Sequence, residues 1–307
     1  MYGLRGLEVA PRLTALRKGS IRALEGLLDR RRLRREIDIL GKELDRTLLP
    51  RFLIIGAPKC GTSWLSAALR RQPNVHVVPD EIEYFSSHID HPLEWYLEHF
   101  RDLMDSPDAE GVRPENLIIG EKSAGYCGIP PKKIRLVRRL LPAARLILMI
   151  RDPVARHWSH TKRYFSKKRK QARGYNSLEA RDQLKRFFER TRHLSEYSKM
   201  IERWTDVYPA EQFLVVSQEA TFSDPAKTLE RVVRHIGASI TFDPVLLKQS
   251  LRTDRNRGPA VALPEDVKMG LEQMFSTEHE RLFRVLQKRY PSDAIDAIGL
   301  REFHNGG

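Results

Sequence analysis

Along the chain, short unbroken apolar runs alternate with longer stretches in which apolar residues return every three or four positions. Phe52 to Ile55, Leu117 to Ile119, Arg145 to Ile150 and Gln212 to Val216 have the length and branched content of buried strands. Val75 and Val77 alternate with polar neighbours as a further strand, interrupted by Pro79, within the stretch Val75 to Phe85. Between these runs the helical period predicts helices over Pro92 to Phe100, Lys132 to Leu141, Ser177 to Arg192, Leu194 to Val207 and Ala226 to Ile236, with Gly237 as a stop. A last helix, Glu265 to Gln287, buries Leu271, Met274, Phe275, Leu282 and Leu286. Strands alternating with helices predict a three-layer α/β fold, a mostly parallel sheet flanked by helices. Residues 1–50 read as a helical extension with leucines and isoleucines at threes and fours, and residues 51–307 as the main domain.

The first strand leads into the most informative segment. Gly56, Pro58 and Gly61 build a turn, and Trp64, Leu65, Ala68 and Leu69 then share one side of a helix. Strand, glycine-bearing loop and helix start is an arrangement that cradles a phosphate, because the first N–H groups of a helix lack internal partners and its dipole favours an anion. Lys59 adds a positive charge, and Thr62 and Ser63 add hydroxyl donors. An ATP- or GTP-binding loop would place lysine directly after the second glycine. Here Thr62 follows Gly61, and the lysine precedes the glycine by two residues.

Two further places carry candidate chemistry. Glu81 and Glu83 stand two apart, so an extended backbone would aim both carboxylates at one face near the loop. A carboxylate there suits a general base for an acceptor hydroxyl. Lys122 ends a strand, at the sheet edge where open α/β folds bind ligands. Arg151 leaves the strand 145–150, and Ser159 follows on the next helix; a guanidinium fork and a hydroxyl can converge on one phosphate. The other reading of Arg151-Asp152 is a local ion pair that caps this helix.

Charge sharpens the picture. The net charge is +14, and residues 131–175 alone hold fifteen Lys and Arg against one acid, Asp152. That field attracts a polyanionic cofactor or an acidic partner. Nucleic acid is disfavoured as the partner, because the basic span lacks interleaved aromatic residues of the stacking kind. Residues 1–50 hold 12 basic and 7 acidic residues. They read as a packed extension, a dimerising helix pair or an amphipathic segment resting on an anionic membrane, and the interspersed acids favour the first two. Two cysteines, Cys60 and Cys127, exclude a disulfide framework, and no C-x-x-C pair suggests zinc. Cys60 reads as a passive small residue of the loop. With no apolar run near the ~20 residues that cross a bilayer and no signal-type segment, the expected location is the cytoplasm.

The order of motifs, Pro58-Lys59-Cys60-Gly61-Thr62-Ser63 and then Arg151 with Ser159, resembles the sulfotransferases that use 3′-phosphoadenosine 5′-phosphosulfate (PAPS). Most of residues 51–290 carries the resemblance, and the heparan-sulfate-type O- and N-sulfotransferase branch is the nearest in pattern. The resemblance implies a P-loop-like sulfotransferase fold and PAPS as co-substrate, with no metal. It implies that Lys59, Cys60, Gly61, Thr62, Ser63 and Trp64 bind the 5′-phosphosulfate, and Arg151 and Ser159 the 3′-phosphate. It also implies Glu81 as the catalytic base, before the aromatic pair Tyr84-Phe85, with Lys59 and Lys122 assisting catalysis. The acceptor would be a hydroxyl or amine of a small molecule or glycan. The chain departs from the family pattern at Ala124, where proline is frequent, and at Arg257-Gly258-Pro259, where lysine-glycine-arginine is usual. The competing reading is a P-loop nucleotide kinase or NTPase.

Overall fold

A computed structural model describes residues 30–38, 49–72, 74–104, 117–167, 178–239 and 261–300. The rest of the N-terminal extension, the charged stretch 168–173 and the basic loop 252–259 lie outside the described residues.

Five parallel strands form one sheet in the order β2-β3-β1-β4-β5. They are β1 (Phe52–Gly56), β2 (Val75–Val77), β3 (Ile118–Lys122), β4 (Arg145–Ile150) and β5 (Phe213–Ser217). Strands covered on both faces are apolar throughout, which is why β1 and β4 read as unbroken hydrophobic runs. The registers Ile54↔Lys122 and Ile54↔Ile147 place β1 at the centre. From β1 the chain crosses to β2 at one edge, returns to β3 beside β1, and then crosses to β4 and β5 on the other side. The loops after β1 and β4 therefore part at the carboxyl edge, where such sheets form their ligand crevice.

Helices cover the sheet: α1 (residues 30–38), α2 (Thr62–Leu69), α3 (Tyr84–Ser87), α4 (Leu93–Met104), α5 (Pro131–Leu140), α6 (Pro153–Lys167), α7 (Leu178–Thr191), α8 (Tyr197–Thr205), α9 (Gln218–Ser223), α10 (Pro225–Ile236), α11 (Glu265–Phe275), α12 (Glu278–Arg289) and α13 (Ser292–Asp296). The largest fully buried side chains include Trp204, Tyr84, Tyr96, Phe52 and Phe100. A buried Phe of this kind contributes about 1.5–3 kcal/mol through its apolar surface. A second apolar cluster, with Trp158, Phe187, Leu271 and Phe275, joins α6, α7 and α11. Arg32 and Glu36 of α1 bond to backbone groups of Ile89, His91 and Leu93, and α1 buries Leu33 and Ile37, so this part of the extension is packed on the domain.

Two sequence expectations change. The stretch 75–85 is a strand only to Val77, after which residues 81–83 are irregular and Glu83 adopts φ 52° at the start of α3. The expected helix 265–287 is two helices, broken at Ser276-Thr277. An apolar stripe that continues in phase across a short break gives no sequence signal of that break.

Candidate active site

The loop after β1 runs directly into the start of α2. Gly61 precedes α2 with φ 94°, a left-handed conformation that suits glycine, and it offers no side-chain cap. An added Cβ would lie 3.3 Å from Met149 Cε and 3.4 Å from Gln218 Nε2. The first helical hydrogen bond is Leu65 N–H to the Gly61 carbonyl at 3.1 Å, so the amides of Thr62, Ser63 and Trp64 have no acceptor within the helix. Lys59, half-buried at φ 72°, sits at the crest of the turn. Ser63 is exposed, Thr62 is buried, and Trp64 meets Phe222 edge-on at 6.4 Å.

The loop is held from below. Ala57 N–H donates to the Met149 carbonyl at 2.7 Å, tying it to β4. Cys60 is turned into the core: its N–H donates to the Ala57 carbonyl, and its Sγ lies 3.6 Å from Tyr197 Oη. Burial pushes its thiol up to about 11, so it shapes the loop and is no thiolate. Arg156 of α6 has no accessible surface and donates to the Pro58 carbonyl at 3.0 Å and to Ser195 Oγ at 2.9 Å. Its third contact is His160 Nδ1 at 2.8 Å, and burial followed by the Arg156 charge drives His160 down to about 3, a neutral acceptor. No carboxylate pairs with Arg156 among the described residues. Its charge therefore acts on the loop without local neutralisation.

Arg151 leaves β4 half-buried beside this loop; Tyr197 bonds both Cys60 and the Arg151 backbone. Asp152 is not its ion-pair partner. The Asp152 carboxylate accepts from Ala155 N–H at 2.7 Å and caps α6. Ser159 lies further along α6, half-buried, and makes no hydrogen bond to Arg151 among the described residues. Glu219 was not expected here. One of its oxygens accepts from Asp152 N–H at 3.0 Å, while Oε2 is buried without a partner among the described residues.

The opposite wall carries the acids. Ser123 N–H donates to the Ile54 carbonyl at 3.1 Å, so the turn after β3 is fixed to β1. Two successive amides of that turn each serve one carboxylate: Ala124 N–H donates to Glu81 at 3.2 Å and Gly125 N–H to Glu83 at 2.9 Å. Lys122 Nζ lies 2.8 Å from Glu81 Oε1. Gly125 has no room for a Cβ, which would lie 2.4 Å from Glu83 Oε2. The expectation that both acids face one site therefore holds, but through a shared turn and not through strand alternation.

The environments of the two acids pull apart. Partial burial raises the Glu81 carboxyl, but the hydrogen bond and charge of Lys122 outweigh it and leave the group below its ordinary value. Burial raises Glu83, and the adjacent Glu81 adds to that rise. Beneath them Glu121, fully buried, accepts from Tyr96 Oη at 2.7 Å and Ser123 Oγ at 2.6 Å, and burial pushes it up to about 7. It anchors Ser123 and so the turn.

Residues 130–243 match the model of the family described as the sulfotransferase family. The chain is 28% identical over 233 residues to the mouse bifunctional heparan sulfate N-deacetylase/N-sulfotransferase 4, covering 69% of this chain and 26% of that protein. It is 32% identical over 195 residues to the human heparan sulfate glucosamine 3-O-sulfotransferase 3B1, covering 62% of this chain and 46% of that one. The chain thus spans less than half the length of these relatives. A solved sulfotransferase from Alicyclobacillus acidocaldarius shares the fold with a TM-score of 0.59 at 22% identity, over 80% of this chain and 99% of that one. The chain is thus similar to sulfotransferases in sequence and shares a sulfotransferase fold, with heparan-sulfate-type enzymes among the similar proteins.

Proposed function

We propose that the protein transfers the sulfuryl group of PAPS to a hydroxyl or amine of an acceptor, with a glycan as the acceptor class. The observation that carries this reading is the pairing of an uncapped α2 N-terminus with the Glu81–Lys122 ion pair, joined through β1 and Ser123. One wall presents amides and cations to a phosphosulfate, and the other presents a base to the acceptor. The glycan assignment draws on the relatives whose names refer to heparan sulfate.

Glu81 accepts the proton as the acceptor oxygen or nitrogen forms its bond to sulfur. The sulfur–oxygen bond to the 5′-phosphate breaks, and its electron pair stays on the phosphate oxygen. Lys59 and the amides of Thr62 to Trp64 stabilise the charge gathering there. Lys122 holds Glu81 ionised and oriented, and Arg151 binds the 3′-phosphate. Alignment and electrostatics supply most of the rate, as in phosphoryl transfer. The transferred sulfuryl carries less charge than a phosphoryl, so the chemistry asks for no cation cage. Turnover is expected to persist in excess EDTA, and loss of activity restored by Mg²⁺ would contradict the assignment. The direct test is mass-shift screening of glycan pools incubated with the protein and PAPS. Sulfate gain on a glycan supports the reading, and gain only on non-carbohydrate acceptors would overturn the glycan class.

A further inference from the structure

A second cluster of chemistry lies outside the transfer site. Residues 88–91 form a tight turn between α3 and α4, in which His91 N–H donates to the His88 carbonyl at 3.0 Å. Ile89 is buried and roots the turn in the core, leaving His88 and Asp90 exposed and His91 half-buried. One ring nitrogen from each histidine and one carboxylate oxygen of Asp90 all lie within 4.8 Å of one another. No hydrogen bond or ion pair to another described residue occupies these three side chains.

The turn is stiff. Arg32 Nη2 donates to the Ile89 and His91 carbonyls at 2.8 and 2.9 Å. Tyr84 Oη donates to the His91 carbonyl at 3.1 Å, and His88 N–H donates back to the carbonyls of Glu83 and Tyr84, each at 3.2 Å. The Trp95 ring lies 4.4 Å from that of His91 and 5.7 Å from that of His88, limiting where each imidazole can swing. A tetrahedral ion with bonds of about 2.0–2.1 Å needs donors about 3.3 Å apart, a small rotamer adjustment from the positions seen. The ligands come from four consecutive residues of one fixed turn, so little chain entropy is lost on closing around an ion.

We propose that His88, Asp90 and His91 form a binding site for a zinc-class divalent cation, with solvent completing the coordination. Two imidazoles and one carboxylate favour Zn²⁺, Ni²⁺ or Cu²⁺ over Mg²⁺ and Ca²⁺, which prefer all-oxygen shells. The ion takes no part in the transfer chemistry. It clamps the segment from Glu83 to Leu93, because the His88 amide is bonded to the Glu83 carbonyl. The site is independent of the sulfotransferase reading and is tested by binding alone.

The experiment is calorimetric titration of Zn²⁺ into the tag-free full-length chain, paired with visible spectroscopy of the Co²⁺-loaded protein. The expected result is one Zn²⁺ per chain, absorption bands of Co²⁺ bound by nitrogen and oxygen, and no comparable uptake of Mg²⁺. His88→Ala and His91→Ala are each expected to weaken Zn²⁺ binding by about a hundredfold, and Asp90→Asn by about tenfold. Zn²⁺ is expected to raise the Tm of the parent chain but not that of the His88→Ala/His91→Ala double variant. His193→Ala, in the turn 192–194 near Gly128, is expected to leave the isotherm unchanged. Absence of stoichiometric uptake, a double variant that binds like the parent, or preference for Mg²⁺ would overturn the proposal. Circular dichroism of the double variant matching the parent separates ligand loss from misfolding.

Discussion

On the donor side of the cleft, the turn from Pro58 to Gly61 is held by β1, β4 and one buried guanidinium. On the acceptor side, Glu81 and Glu83 hang from irregular chain and are held by Lys122, Ser123 and two amides of the following turn. In the proposed reaction the donor wall would present backbone groups to the nucleotide, and its geometry is set by strand ends and a helix start. The acceptor wall uses side chains, with Glu81 more than a third exposed, and such a wall is free to differ from relative to relative. The contrast predicts that lesions at Glu81 change rate, while those at Arg151 and Arg156 change nucleotide affinity or stability.

The largest effect is expected at Glu81. Glu81→Gln keeps size and most hydrogen bonds while removing basicity, so kcat should fall about 10²–10⁴-fold with nucleotide Kd unchanged. Glu83→Gln should retain most of the rate, since Glu83 is bound up with Gly125 and Ser86 and does not contact Lys122. A paired measurement of kcat and Kd in both variants checks this. Reversed roles would transfer the base to Glu83 and break the proposed division.

Next comes Arg156. Arg156→Met leaves the buried Pro58 carbonyl without its guanidinium donor, while Ser195 Oγ keeps His157 Nδ1 at 3.4 Å, and is expected to cost roughly 1–3 kcal/mol of stability, the scale of one unsatisfied group. Denaturant titration reads that loss, and nucleotide affinity should fall with it because the loop loses its support. A stable variant with normal affinity would show that the donor wall stands without the guanidinium.

The smallest effect is a slope of stability with pH. Glu121 and Glu278 are buried and raised to about 7, so between their ordinary range and pH 7 the folded chain holds protons that the unfolded chain releases. Stability from these groups is therefore present at low pH and lost as pH rises through about 7. The buried neutral histidines His157, His160 and His235, held down to about 3, 3 and 4, contribute the opposite slope below the ordinary histidine range. The test is therefore the difference between parent and Glu121→Gln: thermal melts from pH 5 to 8 should show the parent losing Tm relative to the variant as pH rises. Glu81, held low by Lys122, moves the other way and loses its pairing only in acid.

The contrast between the walls also explains what could be read from residues alone. The apolar runs Phe52 to Ile55 and Arg145 to Ile150 gave β1 and β4 because a strand buried on both faces has no polar alternation to hide it. The turn after β1 was legible because its left-handed backbone at Gly61 demands glycine. Arg156 was not legible, because a buried arginine in a basic span looks like its surface neighbours. Glu121 was equally hidden, since its neutral state depends on Tyr96 and Ser123 from distant positions. The placement of Glu81 and Glu83 was anticipated on mistaken grounds. Their common target is the turn at Ala124-Gly125, a tertiary partner that no local periodicity contains.

The central claim is that the donor wall is built for a nucleotide carrying a 3′-phosphate, with Arg151 as its anchor. Calorimetry of adenosine 3′,5′-bisphosphate and of ATP, in the parent chain and in Arg151→Ala, tests it without knowledge of the acceptor. The bisphosphate should bind more tightly than ATP, more weakly at high salt, and should lose about 1.5–3 kcal/mol in the variant, the scale of a charge-assisted hydrogen bond. ATP affinity should change little. Equal affinity for the two nucleotides, or an unchanged isotherm for the bisphosphate in Arg151→Ala, would contradict the account.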